Sequence, residues 1–224
     1  MYNCVRMSPK STPKRAKPKD VQGFTRKLLA WYGRSARDLP WRRTRDPYRV
    51  IVSEFMLQQT QVSRVSEFYP RFLKRFPTIE RLARARPRAV MEAWDGLGYY
   101  ARARNLHKLA KEVSAIGYGL SADPEELIKL PGVGRYTAGA VACFAYEKSV
   151  PAVDTNVKRV LERVFKKKDV WKLAATIVPK QGKRAWRFNQ ALMELGALVC
   201  TARSPRCPKC PVNRNCSTYK RLSR

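Results

Sequence analysis

The sequence predicts an all-α protein, and three observations carry that prediction. Apolar residues recur at helical spacing in one segment after another, most clearly at Phe188, Leu192, Leu195 and Val199, which fall at i, i+4, i+7 and i+11. Proline and glycine punctuate these segments. No run of alternating apolar and polar residues has the length of a strand, and no internal repeat is visible.

Taken in order, residues 1–20 are basic and proline-rich, with Pro9, Pro13 and Pro18 among lysines, and read as a disordered arm that adds phosphate contacts. An apolar helix is expected over 24–32. A proline-punctuated loop follows, with Trp41, Arg42, Arg43 and Arg45. One helical pattern then runs over 47–69, with Val50, Ile51, Met56, Leu57 and Val65 at apolar positions. Short helices are expected over 81–86, 89–94 and 103–114, separated by Pro87 and by Gly96 and Gly98. Residues 125–130 read as a brief helix broken by Pro131. Gly132 and Gly134 turn the chain, and the next helix begins near Tyr136 or Thr137. Residues 138–146 are small and apolar, so that helix is expected to be fully buried. Segments 154–165 and 185–200 complete the set.

Composition narrows the partner. Among 224 residues, 47 Lys and Arg face 17 Asp and Glu, a net charge of +30. Such an excess points to a polyanion, bound with an affinity that falls steeply with salt. No segment approaches the length of a membrane span, so an anionic bilayer is the weaker partner. The first twenty residues lack the apolar core of a secretory signal, and an intracellular, nucleoid-associated location is expected. In that reducing setting, clustered cysteines suggest metal rather than disulfides. Cys200, Cys207, Cys210 and Cys216 stand at C-x6-C-x2-C-x5-C among Arg203, Arg206, Lys209 and Arg214. Spacing alone leaves zinc and an iron–sulfur cluster both open. Cys143 and Cys4 fall outside the pattern. His107, the one histidine, sits on a basic helix and reads as a surface residue.

The run from Leu130 to Thr137, then Val153 to Val157, then the four-cysteine loop, resembles the helix-hairpin-helix DNA glycosylases, the relatives of endonuclease III that carry a [4Fe–4S] cluster. Within that family, the segments 53–62, 96–106 and 188–197 look like the adenine glycosylases of the MutY type. The resemblance covers about residues 24–216. It implies two helical lobes with a DNA cleft between them. Residues 39–150 would form a helical barrel lobe containing the hairpin at 124–137. Residues 151–224 would form a cluster lobe with its cysteine loop at 200–216, and the helix within 21–38 would join that lobe. It also implies a [4Fe–4S] cofactor on Cys200, Cys207, Cys210 and Cys216, and a mismatched DNA duplex bound by a monomer. Three departures stand out. The chain as given ends eight residues after Cys216, whereas bacterial MutY proteins carry a further domain that helps recognise 8-oxoguanine, and thymine-mismatch enzymes do not. Thr155 stands where glycine is usual, and Tyr136 stands where endonuclease III has its catalytic lysine.

The chemistry follows from what a glycosylase must do. A stacked base has to be extruded before its glycosidic bond is reachable, and by resemblance Gln59 and Tyr99 fill the space it leaves. Gly132, Val133, Gly134 and Arg135 are expected to hold phosphate. Bond cleavage needs an acid for the leaving base and an anion near the sugar carbon. Glu54 lies among Phe55, Met56 and Leu57, where an apolar setting raises its pKa and keeps a proton available. Asp154 is expected to cap the helix starting at Thr155, which would depress its pKa and hold it ionised beside the oxocarbenium ion. Tyr136 is expected to hydrogen-bond within the pair and Asn156 to place Asp154. A phenol forms no Schiff base, so base excision without strand cleavage is expected. Gln190 offers an acceptor and a donor to an adenine edge, with Val62 and Arg42 beside it. Adenine opposite guanine or 8-oxoguanine is the expected substrate, thymine or uracil opposite guanine the alternative. A DNA-binding protein without catalysis and a zinc-ribbon RNA-binding protein are weaker readings.

Overall fold

The computed structural model describes residues 21–222, and every regular element among them is helical. The proposed basic arm, 1–20, and Cys4 lie outside the described residues. Helices run α1 Val21–Ser35, α2 Pro47–Leu57, α3 Val62–Arg75, α4 Ile79–Ala83, α5 Pro87–Trp94, α6 Ala101–Ile116, α7 Pro124–Leu127, α8 Arg135–Tyr146, α9 Thr155–Phe165, α10 Val170–Ile177, α11 Gly182–Leu198 and α12 Ser217–Leu222. Among the described residues, no helix is long and apolar enough to cross a membrane.

Two hydrophobic cores divide the molecule. The first is built on α2, whose Val50, Ile51, Val52, Phe55 and Met56 are all buried, with α3 to α8 around it. The second collects α9, α10 and α11, and α1 returns to it through Phe24, Leu28 and Tyr32. Trp186 and Met193 on α11 pack against both cores. That shared helix fixes how the lobes face each other.

Several boundaries differ from those the sequence predicts. The single pattern over 47–69 is two helices, interrupted at residues 58–61, where no glycine or proline announces a stop. The interruption is satisfied from a distance: the Arg102 guanidinium donates to the carbonyls of Phe55 and Met56 at 3.0 and 2.7 Å and to that of Gln58. These include carbonyls that a helix end leaves without partners. Helix α3 then runs through Pro70, which lies on its exposed side, where the loss of one N–H donor is least costly. Helix α10 was not expected from its short, lysine-preceded sequence; the Asp169 carboxylate caps it by accepting from Lys172 N at 2.9 Å. Helix α12 was not expected either. His107 is buried, at 6 % exposure, not on the surface, because α6 packs against α4.

The hairpin is tighter than its sequence suggests. Helix α7 ends at Leu127, two 3-10-type bonds carry the chain on (Leu130 N to Leu127 O, Val133 N to Leu130 O), and α8 starts at Arg135. Gly132 has φ +76°, and a Cβ there would meet Asn105 Cβ at 2.8 Å and Phe55 Cε1 at 2.9 Å. Gly132→Ala therefore combines left-handed strain with overpacking and should cost about 2–3 kcal/mol, read as a lowered thermal midpoint. An unchanged midpoint would show that the hairpin turn tolerates a side chain.

Candidate active site

A cavity of about 890 Å3 opens between the two cores and gathers residues far apart in sequence. Glu54, Tyr136, Asp154, Asn156, Gln190, Arg42, Val62 and Gln59 all line it. Each arrives on a different support. Glu54 projects from the last turn of α2, Tyr136 from the first turn of α8, and Gln190 from the middle of α11. Asp154 is the N-cap of α9: its Oδ1 accepts from Val157 N at 2.6 Å and its Oδ2 from Asn156 Nδ2 at 3.1 Å.

Glu54 is a buried carboxyl that lines this cavity. It is 4 % exposed, and its Oε2 is buried with no hydrogen-bond partner. Burial pushes its pKa up to about 7. Hydrogen bonding to the Tyr136 phenol opposes the rise, and the nearby Asp154 charge adds to it. Tyr136 is driven well above the ordinary phenol value, first by burial and then by the two carboxylates, so it stays neutral and donates. Asp154 differs from the expectation. Its pKa is raised, not depressed, because burial outweighs the stabilising bonds from Val157 N and Asn156. Asp154 has N–H donors on both oxygens and Glu54 Oε2 has none, so Glu54 is the better placed of the two to keep a proton.

Backbone contacts fix Asp154 closely. A Cβ on Gly196 would meet Asn156 Cβ at 2.6 Å, so α11 approaches the start of α9 as only glycine allows. Arg159 Nη2 donates to Asn156 Oδ1 at 2.7 Å and to Gly196 O at 2.8 Å, and its Nε donates to Cys200 O at 2.8 Å. Thr155 takes the first helical position of α9, where a side chain is no obstacle.

At the other wall, the sequence reading passed over Glu194. It is wholly buried yet ionised: burial pushes its pKa up, but the Arg37 and Arg42 guanidiniums outweigh that and hold it below the ordinary value. Arg37 N, Nε and Nη2 donate to it at 3.0, 2.7 and 3.0 Å, and Arg42 Nη2 at 2.6 Å. Arg42 Nε also donates to Gln190 Oε1 at 2.8 Å. One lone pair of the Gln190 carbonyl is thus taken by Arg42, and its amide is left to donate into the cavity. Glu194 stands four residues after Gln190 on one helix face, a spacing that marked it in the sequence.

The remaining predicted residues lie elsewhere. Tyr99 is 61 % exposed and lines a neighbouring groove with Gln59. In the hairpin, Gly132, Gly134 and Arg135 are exposed, but the Val133 side chain is buried in the first core, so only its backbone is available. The Arg135 guanidinium stacks on Trp171 of α10 at 4.1 Å, bridging the lobes. Cys200, Cys207, Cys210 and Cys216 are free thiols, half-buried on the loop after α11. As placed, no three of them close on a single metal ion among the described residues. They do share one neighbourhood. Burial raises the Cys207 and Cys210 thiols, Cys210 to about 11, and the other cysteines of the set add to both shifts. Arg163 Nη1 donates to Cys200 Sγ at 3.4 Å, as suits a site with negative charge on sulfur. Cys143 is buried elsewhere, against Asn189.

The raised Glu54 pKa makes a stability prediction with a definite sign. Between its ordinary value, 4.5, and its folded value, about 7, the folded protein holds a proton that the unfolded chain has lost. Stability attributable to this group therefore falls as pH rises through that window. Glu54→Gln removes the penalty and should raise the thermal midpoint above pH 7 by a few degrees, with little change below pH 4.5. A variant less stable than the parent above pH 7 would contradict the protonated assignment.

The model of the HhH-GPD superfamily base excision DNA repair proteins matches residues 52–179. The adenine DNA glycosylase of Mycolicibacterium smegmatis is 47 % identical over 196 residues, 83 % of this chain and 66 % of that protein. The human adenine DNA glycosylase is 42 % identical over 223 residues, 91 % of this chain and 40 % of that protein. The chain thus spans two thirds or less of these relatives. Among solved structures, a thermostable thymine-DNA glycosylase superposes with a TM-score of 0.83 at 32 % identity, over 90 % of this chain and 97 % of its own. Endonuclease III trapped as a covalent intermediate with DNA gives 0.78 at 26 % identity, over 91 % and 97 %. The chain belongs to the HhH-GPD superfamily of base excision DNA repair proteins.

Proposed function

We propose that this protein is a monofunctional DNA glycosylase, acting as a monomer at the nucleoid, that excises adenine mispaired with guanine or 8-oxoguanine. The observation that carries the reading is the buried, partnerless Oε2 of Glu54, facing a cavity whose opposite anion is Asp154. Adenine becomes a good leaving group when N7 is protonated, and Glu54 holds a proton for it near neutral pH. As the bond breaks, positive charge develops on the sugar, and ionised Asp154 stabilises it or adds to it transiently. Tyr136 bonds to Glu54 and keeps the two carboxyls in register, while Asn156 holds Asp154. Gln190 donates its amide to the extruded base while Arg42 fixes its carbonyl, and Val62 closes the apolar side.

DNA is the partner that the +30 charge, the exposed hairpin glycines and the cationic cavity rim of Lys158 and Lys168 all suit. Residues 39–150 supply the barrel side of the duplex cleft, and residues 151–224 with the helix in 21–38 supply the other. Gln59 and Tyr99 enter the stack. Cys200, Cys207, Cys210 and Cys216 would hold a [4Fe–4S] cluster, which braces the basic loop that presses on phosphate. Excision of thymine or uracil opposite guanine is the second reading, favoured by the likeness to a thymine-DNA glycosylase. The identity to adenine glycosylases and the proton on Glu54 weigh for adenine, since pyrimidines have no N7.

Single-turnover excision from A:G, A:8-oxoguanine, T:G and U:G duplexes separates these readings. Adenine mispairs should react fastest, with strands intact until alkali is added. Faster release from T:G or U:G would establish the second reading, and no release from any duplex would leave a DNA-binding protein. Purified protein should be brown, and Cys207→Ser should lose both the colour and duplex affinity. One equivalent of zinc and no iron would overturn the cluster.

A further inference from the structure

Gln59 and Tyr99 sit at the tips of two loops that share no sequence neighbourhood, and one side chain holds both loops. Each tip residue has a left-handed backbone, φ 56° at Gln59 and 48° at Tyr99, though neither is glycine. Such conformations persist only where the surroundings impose them. The agent is Arg102, in the first turn of α6 and 7 % exposed. Its Nη1 reaches Phe55 O and Met56 O at 3.0 and 2.7 Å, together with Gln58 O, all leading into Gln59. Its Nη2 reaches Leu97 O and Gly98 O at 3.1 and 3.0 Å, and its Nε reaches Tyr99 O at 3.5 Å. The same guanidinium stacks against the rings of Trp94 and Tyr99 at 5.5 and 5.4 Å, and Trp94 Nε1 also donates to Gly98 O at 3.2 Å. A planar fork of five N–H groups can engage carbonyls on two sides at once, which an ammonium cannot do.

We propose that Arg102 is a positioning residue that sets Gln59 and Tyr99 as one rigid wedge, so that extrusion of the target base depends on it although the bond-breaking groups do not contact it. The proposal rests on the reading of Gln59 and Tyr99 as duplex-entering residues. Between them lies a groove of about 510 Å3, with Arg102 among its lining residues and Arg104 at its rim. Loosening either loop changes the width of that groove and the distance between the tips. The cost then falls on opening the duplex, not on cleaving the bond.

The test compares Arg102→Lys with the parent on two substrates, one with the target base paired and one with it opposite an abasic site, where little opening is needed. A 2-aminopurine beside the target reports unstacking. With helicity and iron content retained, the variant should lose roughly 10- to 100-fold in single-turnover rate on the paired target, lose the fluorescence rise, and excise the unpaired target at near the parent rate. Combining Arg102→Lys with Gln59→Ala and Tyr99→Ala should add little further loss, because all act on one step. Equal losses on both substrates, or full additivity, would overturn the proposal by making Arg102 a general fold residue. If Gln59→Ala and Tyr99→Ala lose unstacking while Arg102→Lys keeps it, Arg102 alone is wrongly placed. If those alanine variants unstack DNA as the parent does, the wedge reading itself fails. Trp94→Phe, which deletes one bond to the same loop, should show a smaller loss on the paired target only, and it serves where Arg102→Lys loses helicity.

Discussion

Burying a polar group without a partner is costly, and the loops of this protein are shaped by that constraint. Glu194 is wholly buried and receives four N–H bonds from Arg37 and Arg42, about 150 residues earlier. Asn189 accepts from Ala152 N at 3.0 Å and donates to Val150 O at 3.0 Å and Ala185 O at 3.1 Å, pinning the strand-like segment that leads to Asp154. Arg159 and Arg163 do the same for the end of α11 and the chain after it, reaching the carbonyls of Gly196, Cys200, Thr201 and Ala202. The irregular backbone between helices is therefore held by side chains from distant helices, and its geometry is as definite as that of the helices.

Against that background Glu54 Oε2 stands out as a cavity-lining oxygen that the fold leaves unsatisfied, as it does His107 Nε2 between α6 and α4. A carboxyl in that position keeps its proton to a higher pH than an exposed one, and the neighbouring Asp154, raised less by burial because it is bonded on both oxygens, is the partner that the proposed mechanism uses as the anion. The hydrogen bond that Glu54 Oε2 lacks in the folded state is one that a substrate atom accepting from the protonated carboxyl would supply. The cluster of cysteines connects to this site only through scaffold: Arg159 bonds Cys200 O and Asn156 together, and Asn156 holds Asp154.

The all-helical class, the turn at Gly132 and the cap at Asp154 were legible because each depends on a local pattern. Glu54 was legible as a buried carboxyl with a raised pKa because Phe55, Met56 and Leu57 announce a dry setting. What was not legible depended on distant partners. Residues 58–61 read as helix because no local residue stops them; the stop is the Arg102 guanidinium, more than forty positions away. Asp154 read as a depressed carboxyl because its cap is visible in the sequence, while the burial that outweighs the cap is not. His107 read as exposed from its basic neighbours, yet the opposite face of the same helix meets α4. Gln190 read as offering both its carbonyl and its amide to a base, with Arg42 beside it, whereas Arg42 occupies part of that carbonyl itself.

The acid role depends on the buried carboxyl of Glu54 keeping its proton well above the ordinary carboxylate range. Infrared difference spectra of the protein with isotope-labelled glutamate, recorded across a pH titration and compared with Glu54→Gln, observe that proton directly. A protonated carboxyl band is expected to persist well above the ordinary glutamate range, to titrate near pH 7 and to be missing from the variant. A spectrum in which Glu54 is already a carboxylate at pH 5.5 would contradict the assignment of Glu54 as the acid.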